Sequence, residues 1–370
     1  MKAWGDRADD LVAARTREDT LRALDEAGVD LDPPTAVDLA GDRDPGVSDG
    51  GHEHGLGAAG HDHDATPHHH PHVQSEAGQP PITGIVGAGA VGTALGVALD
   101  RAGWRIHAVA SRNDARRDRF RSLVPGVRAF IDAPPLVEEV ELIILAVPDD
   151  ALAELAGELH MYSGQAMVHT SGLLGADALA SAMAAGTQVG SFHPLVAFAD
   201  LERAVAALHG ATIAIEGDDQ LLDLLARMAE AVGATPVRLA TGAKPAYHAA
   251  AVLAAGGFDA LLDAIAELGR VAGLDEAGSL AIYGGLIEQT LGNARSLGIA
   301  AALTGPMTRA DRGTVTSHLA ALAAHAPATI PVYLALAERE VAIAAERGAL
   351  SPEAAAELRL ALAKSLATPA

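Results

Sequence analysis

The stretch Ile82-Thr83-Gly84-Ile85-Val86-Gly87-Ala88-Gly89-Ala90-Val91-Gly92 decides the fold. It opens on a short apolar run, Ile82–Val86, of the length and composition of a buried strand. Glycines follow at the spacing G-x-G-x-x-G, and then an Ala-rich segment, Ala90–Ala102, with helical periodicity. A second apolar strand, Arg105–Ala110, begins about twenty residues on, the context such a loop requires. Each glycine then has a physical task. Gly87 permits a tight turn, Gly89 lets the backbone approach a pyrophosphate, and Gly92 brings helix close to strand. The loop Gly87, Ala88, Gly89, Ala90, Val91 and Gly92 presents free N–H groups at a helix start, where the helix dipole favours an anion. This reads as a dinucleotide site.

Working outward, the second strand runs into Ser111-Arg112. A site for NAD usually places Asp or Glu there, to bond the ribose 2′-hydroxyl. A hydroxyl followed by a forked guanidinium suits a 2′-phosphate instead, so the expected cofactor is NADP(H), with Arg116 and Arg117 adding charge. The alternative is that Arg112 is an ordinary surface arginine. Leu142–Val147 is a continuous apolar run, as expected of a strand buried on both faces. It ends at Ala146-Val147-Pro148, at the carboxyl edge of the sheet, and its backbone is expected along the cofactor. Asp149 reads as a helix cap. Further strands are expected at Ala166–Thr170, Val189–Phe192, Ala211–Ile215 and Thr235–Leu239, with a helix over Asp218–Val232. Strands alternating with helices imply a parallel sheet covered on both faces.

After Thr241 strand signals stop. Ala243–Ala272, Asp275–Leu297, Thr314–Ala324 and Ile330–Arg347 have helical periodicity, and Ser351 with Pro352 reads as the start of a last helix. The fold class is thus α/β, a Rossmann dinucleotide-binding domain over residues 81–240 followed by an all-helical domain over 241–367. Residues 1–80 differ. Thr16–Ala27 has the pattern of a short helix, but the rest is rich in Gly, Asp, Pro and His, with too few large apolar side chains to offset its ordering entropy. The expectation is a disordered tail. His52, His54, His61, His63, His68, His69, His70 and His72 give it weak metal affinity; no metal site is expected elsewhere.

Bulk properties narrow the function. A formal charge of -22 argues against nucleic-acid binding. There is no cysteine, hence no disulfide and no thiolate nucleophile. The chain lacks a secretory pattern at its start, and its most apolar stretch, Ala249–Leu262, is short for a bilayer and carries Asp259. A cytoplasmic protein is the expectation, and a small anionic substrate is not excluded, since a few local basic groups can serve one.

Four constellations can carry chemistry. His169-Thr170-Ser171-Gly172 closes a strand, where Ser171 either bonds substrate or carboxamide or simply makes a turn. Ser191-Phe192-His193-Pro194-Leu195 closes another. There His193 either protonates a developing alkoxide or is a buried histidine satisfied by backbone. Thr241-Gly242-Ala243-Lys244-Pro245-Ala246-Tyr247-His248 opens the helical domain, with Lys244 and His248 on one helix face. Lys244 is either a cationic donor to a developing oxyanion or a solvated surface residue. In Leu303–Thr314, Arg309 or Arg312 either clamps a carboxylate, or the Arg–Asp pairs only fix the loop or a subunit contact.

Together, Gly87–Gly92, Ser191–Leu195, Lys244–Ala251 and Leu303-Thr304-Gly305-Pro306 running to His318-Leu319 resemble Rossmann-like proteins carrying the helical domain DUF2520. The resemblance covers roughly residues 80–365. More distantly the chain resembles the 6-phosphogluconate dehydrogenase superfamily, including ketopantoate, pyrroline-carboxylate and β-hydroxyacid enzymes. In the β-hydroxyacid and ketopantoate branches a lysine begins a helix with an asparagine one turn later. Lys244 matches that lysine, His248 replaces the asparagine, and Gly256 stands where a further asparagine is expected. His193-Pro194 is similar to a His-Pro pair of prephenate dehydrogenases. The resemblance implies an NADPH-dependent reductase of a small 2-oxo or imino acid, with ketopantoate as first substrate. Lys244 would be the donor, with His193, Ser171 and His248 orienting the substrate, and the helical domain would form a homodimer. The competing expectation is an NADP(H)-binding sensor or scaffold without turnover.

Overall fold

The computed structural model describes residues 79–162, 164–240 and 242–364, all within one compact unit, Pro67–Ala370. The His-rich tail and the Thr16–Ala27 helix expected from sequence lie outside the described residues. In chain order the first part comprises β1 (Thr83–Val86), α1 (Ala90–Arg101), β2 (Ile106–Ala110), α2 (Asp114–Leu123), β3 (Arg128–Phe130) and α3 (Pro134–Val137). It continues with β4 (Leu142–Leu145), α4 (Asp149–Glu158), β5 (Ala166–His169), α5 (Ala180–Ala184), β6 (Gln188–Pro194) and α6 (Leu201–Leu208). It ends with β7 (Thr212–Glu216), α7 (Asp219–Ala231) and β8 (Thr235–Arg238).

The strands form one sheet in the order β3-β2-β1-β4-β5-β6-β7-β8. The first six follow the doubly wound order, in which ligands sit at the carboxyl edge where the strand order reverses, here between β1 and β4. The central strands are apolar on both sides because both faces are covered. One face packs Ile85, Leu95, Leu99, Phe120, Ile144 and Met228, the other Val86, Leu136, Ile143, Leu145, Leu152 and Met167.

The expectation of a wholly parallel sheet is corrected at one seam. β6 and β7 are antiparallel, with Ser191 opposite Glu216 and His193 opposite Ala214. The chain leaves β6 through α6 and returns along the same edge, so that Leu195 N–H already bonds the Thr212 carbonyl at 2.8 Å. β3 was not expected; it has three residues, one exposed and two half-buried, too short and too polar to show a period. Leu142–Val147 leaves the sheet after Leu145, and Pro148 then precedes α4. Asp149 is therefore the first residue of α4 rather than its cap, and the cap position, Pro148, makes no side-chain bond.

The second part is helical: α8 (Lys244–Ala254), α9 (Gly256–Val271), α10 (Glu276–Leu297), α11 (Ile299–Ala302), α12 (Arg312–His325), α13 (Ile330–Glu346) and α14 (Pro352–Lys364). The single helix expected over Ala243–Ala272 is two, broken at Ala255, whose φ of -110° and ψ of -92° are not helical. Asp275 caps α10 by accepting Gly278 N–H at 2.7 Å, and Asp311 caps α12 through Thr314 N–H at 3.0 Å; such caps contribute about 1 kcal/mol each. Ser351 accepts Ala354 N–H at 3.2 Å, as the sequence suggests. Met307, Val315, Leu319, Val341, Leu358 and Leu362 form a core for α12–α14. By contrast α8–α11 leave Val252, Leu253, Ile282, Leu286, Leu291 and Ile299 exposed. An 18-residue window within Lys244–Val271 has the apolarity of a membrane span by composition alone, but the stretch is two helices broken at Ala255.

Candidate active site

The glycine loop is built as its spacing requires. Gly87 has φ of +108°, and a Cβ there would lie 2.2 Å from the Ala146 carbonyl oxygen. A Cβ on Gly92 would lie 2.0 Å from the Gly87 oxygen and 3.0 Å from the Ala146 Cβ. Gly89 has nothing within 4 Å of its Cβ position, so its backbone faces open space. The loop borders a groove of about 1010 Å³ lined by Gly87, Ala88, Gly89, Ala90, Val91, Ser111, Arg112, Ala146, Val147 and Pro148, and reaching Thr170. Every expected cofactor residue but Gly92 lines it; Gly92 instead closes the turn from beneath. Among the described residues Arg112 and Arg116 have no acidic partner within 4.0 Å, whereas Arg117 is paired with Asp114 and donates to the Ser111 carbonyl. Arg117 therefore fixes the turn, leaving Arg112 and Arg116 to supply positive charge. Arg116 also faces a smaller cavity of about 310 Å³ with Arg119 and Phe198.

Beyond Thr170 the β5 loop turns back on itself. Ser171 Oγ accepts the N–H groups of Leu173 at 3.1 Å and Leu174 at 2.9 Å, so Ser171 makes the turn. His169 is fully buried; its Nε2 meets the Gly175 carbonyl at 2.8 Å and its Nδ1 accepts Ser171 N–H at 3.2 Å. That pair of contacts sets the Nε2–H tautomer. Burial lowers its pKa to about 4.

Lys244 is not a solvated residue: it is 2% exposed. Its ammonium donates to the carbonyls of Ser171 and Leu174, both at 2.7 Å, and lies 3.8 Å from Glu216 Oε2. Burial lowers its pKa to about 8, with Glu216, Asp149 and Asp177 opposing the shift. It is thus the clasp that holds the 171–174 turn, with two of its three donors taken.

Against that turn sit the two histidines named from sequence. A Cβ on Gly172 would lie 2.5 Å from His248 Nδ1 and 2.7 Å from His193 Nε2; only glycine admits both rings. His193 stands edge-to-face with Tyr247, centroids 5.8 Å apart, and with His248 at 5.9 Å. Burial, then the Lys244 charge, lowers the His193 pKa to about 4. Three polar atoms here, His193 Nδ1, Tyr247 Oη and His248 Nδ1, are shielded from solvent with no hydrogen-bond partner among the described residues. Such atoms are costly and concentrate where function demands them.

The sequence reading missed Tyr247, Gly172, His169 and Glu216 as members of this site. Tyr247 follows Lys244 by three residues, a spacing that shares a helix face and was there to be used. Glu216 arrives only through the antiparallel β7, which no local signal discloses. Arg312 does not reach this site: it pairs with Glu357 at 3.2 Å and ties α12 to α14. His318 bonds Tyr333 at 3.0 Å within the helical part. Among the described residues no group of three or more His, Cys, Asp or Glu side chains is placed to hold a metal.

Family comparison agrees with the geometry. Residues 69–194 match a Rossmann-like domain and residues 211–340 match the domain of unknown function DUF2520. The chain thus carries a segment similar to a Rossmann-like domain followed by one similar to the DUF2520 domain. The DUF2520 match takes in β7, α7 and β8, so it begins before the helical part does. No curated protein matches the chain. Among solved structures, a Bacteroides fragilis protein, BF3122, aligns with a TM-score of 0.60 at 24% identity, over 71% of this chain and 98% of that one. A Thermotoga maritima protein, TM1727, gives 0.56 at 24%, over 72% and 99%. A Plasmodium falciparum pyrroline carboxylate reductase with NADP bound gives 0.50 at 11%, over 71% and 98%.

Proposed function

We propose that the chain binds NADP(H) in the groove and reduces a small carbonyl or imine compound held at the Gly172 cluster. The observation that carries this is continuity. The groove that begins at the glycine loop and Arg112 reaches Thr170, two residues before the glycine on which His193 and His248 converge. The residues fit the cofactor: an open backbone at Gly89 for the pyrophosphate, and unpaired guanidinium groups beside Ser111 for a 2′-phosphate. NADPH, when bound, supplies a hydride. The chain supplies hydrogen-bond donors at the place where charge would develop on oxygen or nitrogen. The fold shared with an NADP-bound pyrroline carboxylate reductase is consistent with this chemistry. Small 2-oxo acids, ketopantoate first, are the class the sequence resemblance implies. The test is NADPH consumption by the purified chain with a panel of 2-oxo acids, ketones and cyclic imines. Consumption that saturates with one compound supports the reading; NADPH binding without consumption opposes it.

A second reading, an NADP(H)-dependent sensor without turnover, draws on Gly256, which has nothing within 4 Å of its Cβ position where the superfamily resemblance leads one to expect asparagine. For the exposed apolar face of α8–α11 we propose a second copy of the chain, since a patch of that extent is a partner surface. Sedimentation of the purified protein decides it.

A further inference from the structure

The charges around the Gly172 cluster restrict what can enter it. Its one buried cation, Lys244, is held by two carbonyls and stands among three carboxylates, Glu216, Asp149 and Asp177, all of which act on it electrostatically. Glu216 Oε2 and Asp177 Oδ1 lie 3.7 and 2.6 Å from the Cβ position of Gly175, in the same turn that Lys244 clasps. Three carboxylates surround that one cation, although at His193 itself the Lys244 charge outweighs that of Asp149, and none of the groups acting on His193 or Lys244 is an arginine. A carboxylate brought beside the reacting carbon would find no free cation to pair with, because Lys244 is already engaged by two carbonyls and Glu216, and desolvating it unpaired is costly. The unpartnered atoms are of another kind: a phenol hydroxyl and two imidazole nitrogens, able to donate to and accept from an uncharged polar group.

Resting on the reductase reading, we propose that Tyr247, with His193 and His248, receives the reacting oxygen or nitrogen of an uncharged ketone or imine, while Lys244 only positions the turn beneath them. The hydride of NADPH forms the new C–H bond. The C=O or C=N π pair passes to the heteroatom, which takes the Tyr247 hydroxyl proton. The phenolate regains its proton from water. The balance is one hydride and one proton added, with NADP released in its oxidised form.

The experiment compares wild type with Tyr247→Phe in three measurements: melting temperature, NADPH affinity, and kcat/KM on cyclohexanone, a cyclic imine and ketopantoate. An orphaned hydroxyl is dispensable to the fold, so the variant should melt no lower than wild type and bind NADPH within about twofold. Its kcat/KM should fall at least tenfold, in the range of general acid catalysis. Wild type should prefer cyclohexanone or the imine over ketopantoate by tenfold or more. A melting temperature lowered by more than about 2 °C would show that the hydroxyl has a structural partner and overturn the assignment. So would retained turnover in the variant, or a preference for ketopantoate; each leaves the reductase reading intact. A wild-type protein that binds NADPH and reduces nothing in the panel overturns the reductase reading and this assignment with it.

Discussion

Replacing Gly172 with alanine tests whether the histidine cluster is the working part of the site. The added Cβ would lie 2.5 Å from His248 Nδ1 and 2.7 Å from His193 Nε2. Uncrowded contacts lie near 3.5 Å, so each ring must retreat by roughly 1 Å. His193 sits in β6, opposite Ala214 of β7, and its ring abuts Tyr247 and His248, so the retreat disturbs packing on both sides. Overpacking of this kind costs about 1–3 kcal/mol, a fall in melting temperature of roughly 2–10 °C. The groove residues of the glycine loop are untouched, so NADPH affinity should change by less than about threefold. A misplacement near 1 Å costs on the order of a hundredfold in rate. Differential scanning fluorimetry, NADPH fluorescence titration and turnover, measured on one preparation, separate the three effects. Wild-type turnover in Gly172→Ala, with or without a stability loss, would refute the placement of the reaction at this glycine.

Other consequences follow from the same geometry. Gly92→Ala drives a Cβ into the Gly87 carbonyl at 2.0 Å and should abolish dinucleotide binding in a fluorescence titration while the protein remains folded by circular dichroism. Arg112→Ala should weaken NADPH by at least tenfold, about 1.4 kcal/mol, and leave NADH affinity unchanged; equal losses for both would remove the 2′-phosphate assignment. Lys244→Met unties the Ser171 and Leu174 carbonyls, so the Leu173 and Leu174 amide protons should exchange at least tenfold faster, and unchanged exchange would contradict the clasp. His169 and His193 have folded pKa values near 4, below their ordinary 6.5. The unfolded chain therefore binds more protons between those values, and stability is full above pH 6.5 and lost as pH falls towards 4. For the fully buried His169 this amounts to roughly 3 kcal/mol at most. Urea unfolding at pH 7 and pH 4.5 measures it, and His169→Gln should flatten the dependence.

Local signals made the first half of the fold legible. Ile82–Val86 followed by the glycine spacing announces a strand, a phosphate-binding turn and a helix, and Leu142–Leu145 announces a buried neighbour. Boundaries failed where a capping side chain or proline decides them: Asp311 starts α12 at Arg312, two residues before its periodicity shows. The antiparallel seam was not legible, because an alternation of strand and helix does not reveal which way the chain re-enters the sheet. That seam brings Glu216 beside Ser191, at 3.2 Å, and so beside Lys244. The motif around Lys244 was visible, but the role drawn for it was that of a free cation. Its engagement by two carbonyls depends on the turn at Ser171, 73 residues away, and no spacing encodes that.

Deuterium reports directly on hydride transfer at the Gly172 cluster. The full chain is incubated with NADPH deuterated at the transferable position and a mixture of ketones, imines and 2-oxo acids, and the products are read by mass spectrometry. One reduced product should carry a single deuterium on carbon, formed at a rate at least tenfold lower in the Tyr247→Phe sample. Saturable NADPH binding with no deuterium in any product would contradict that transfer.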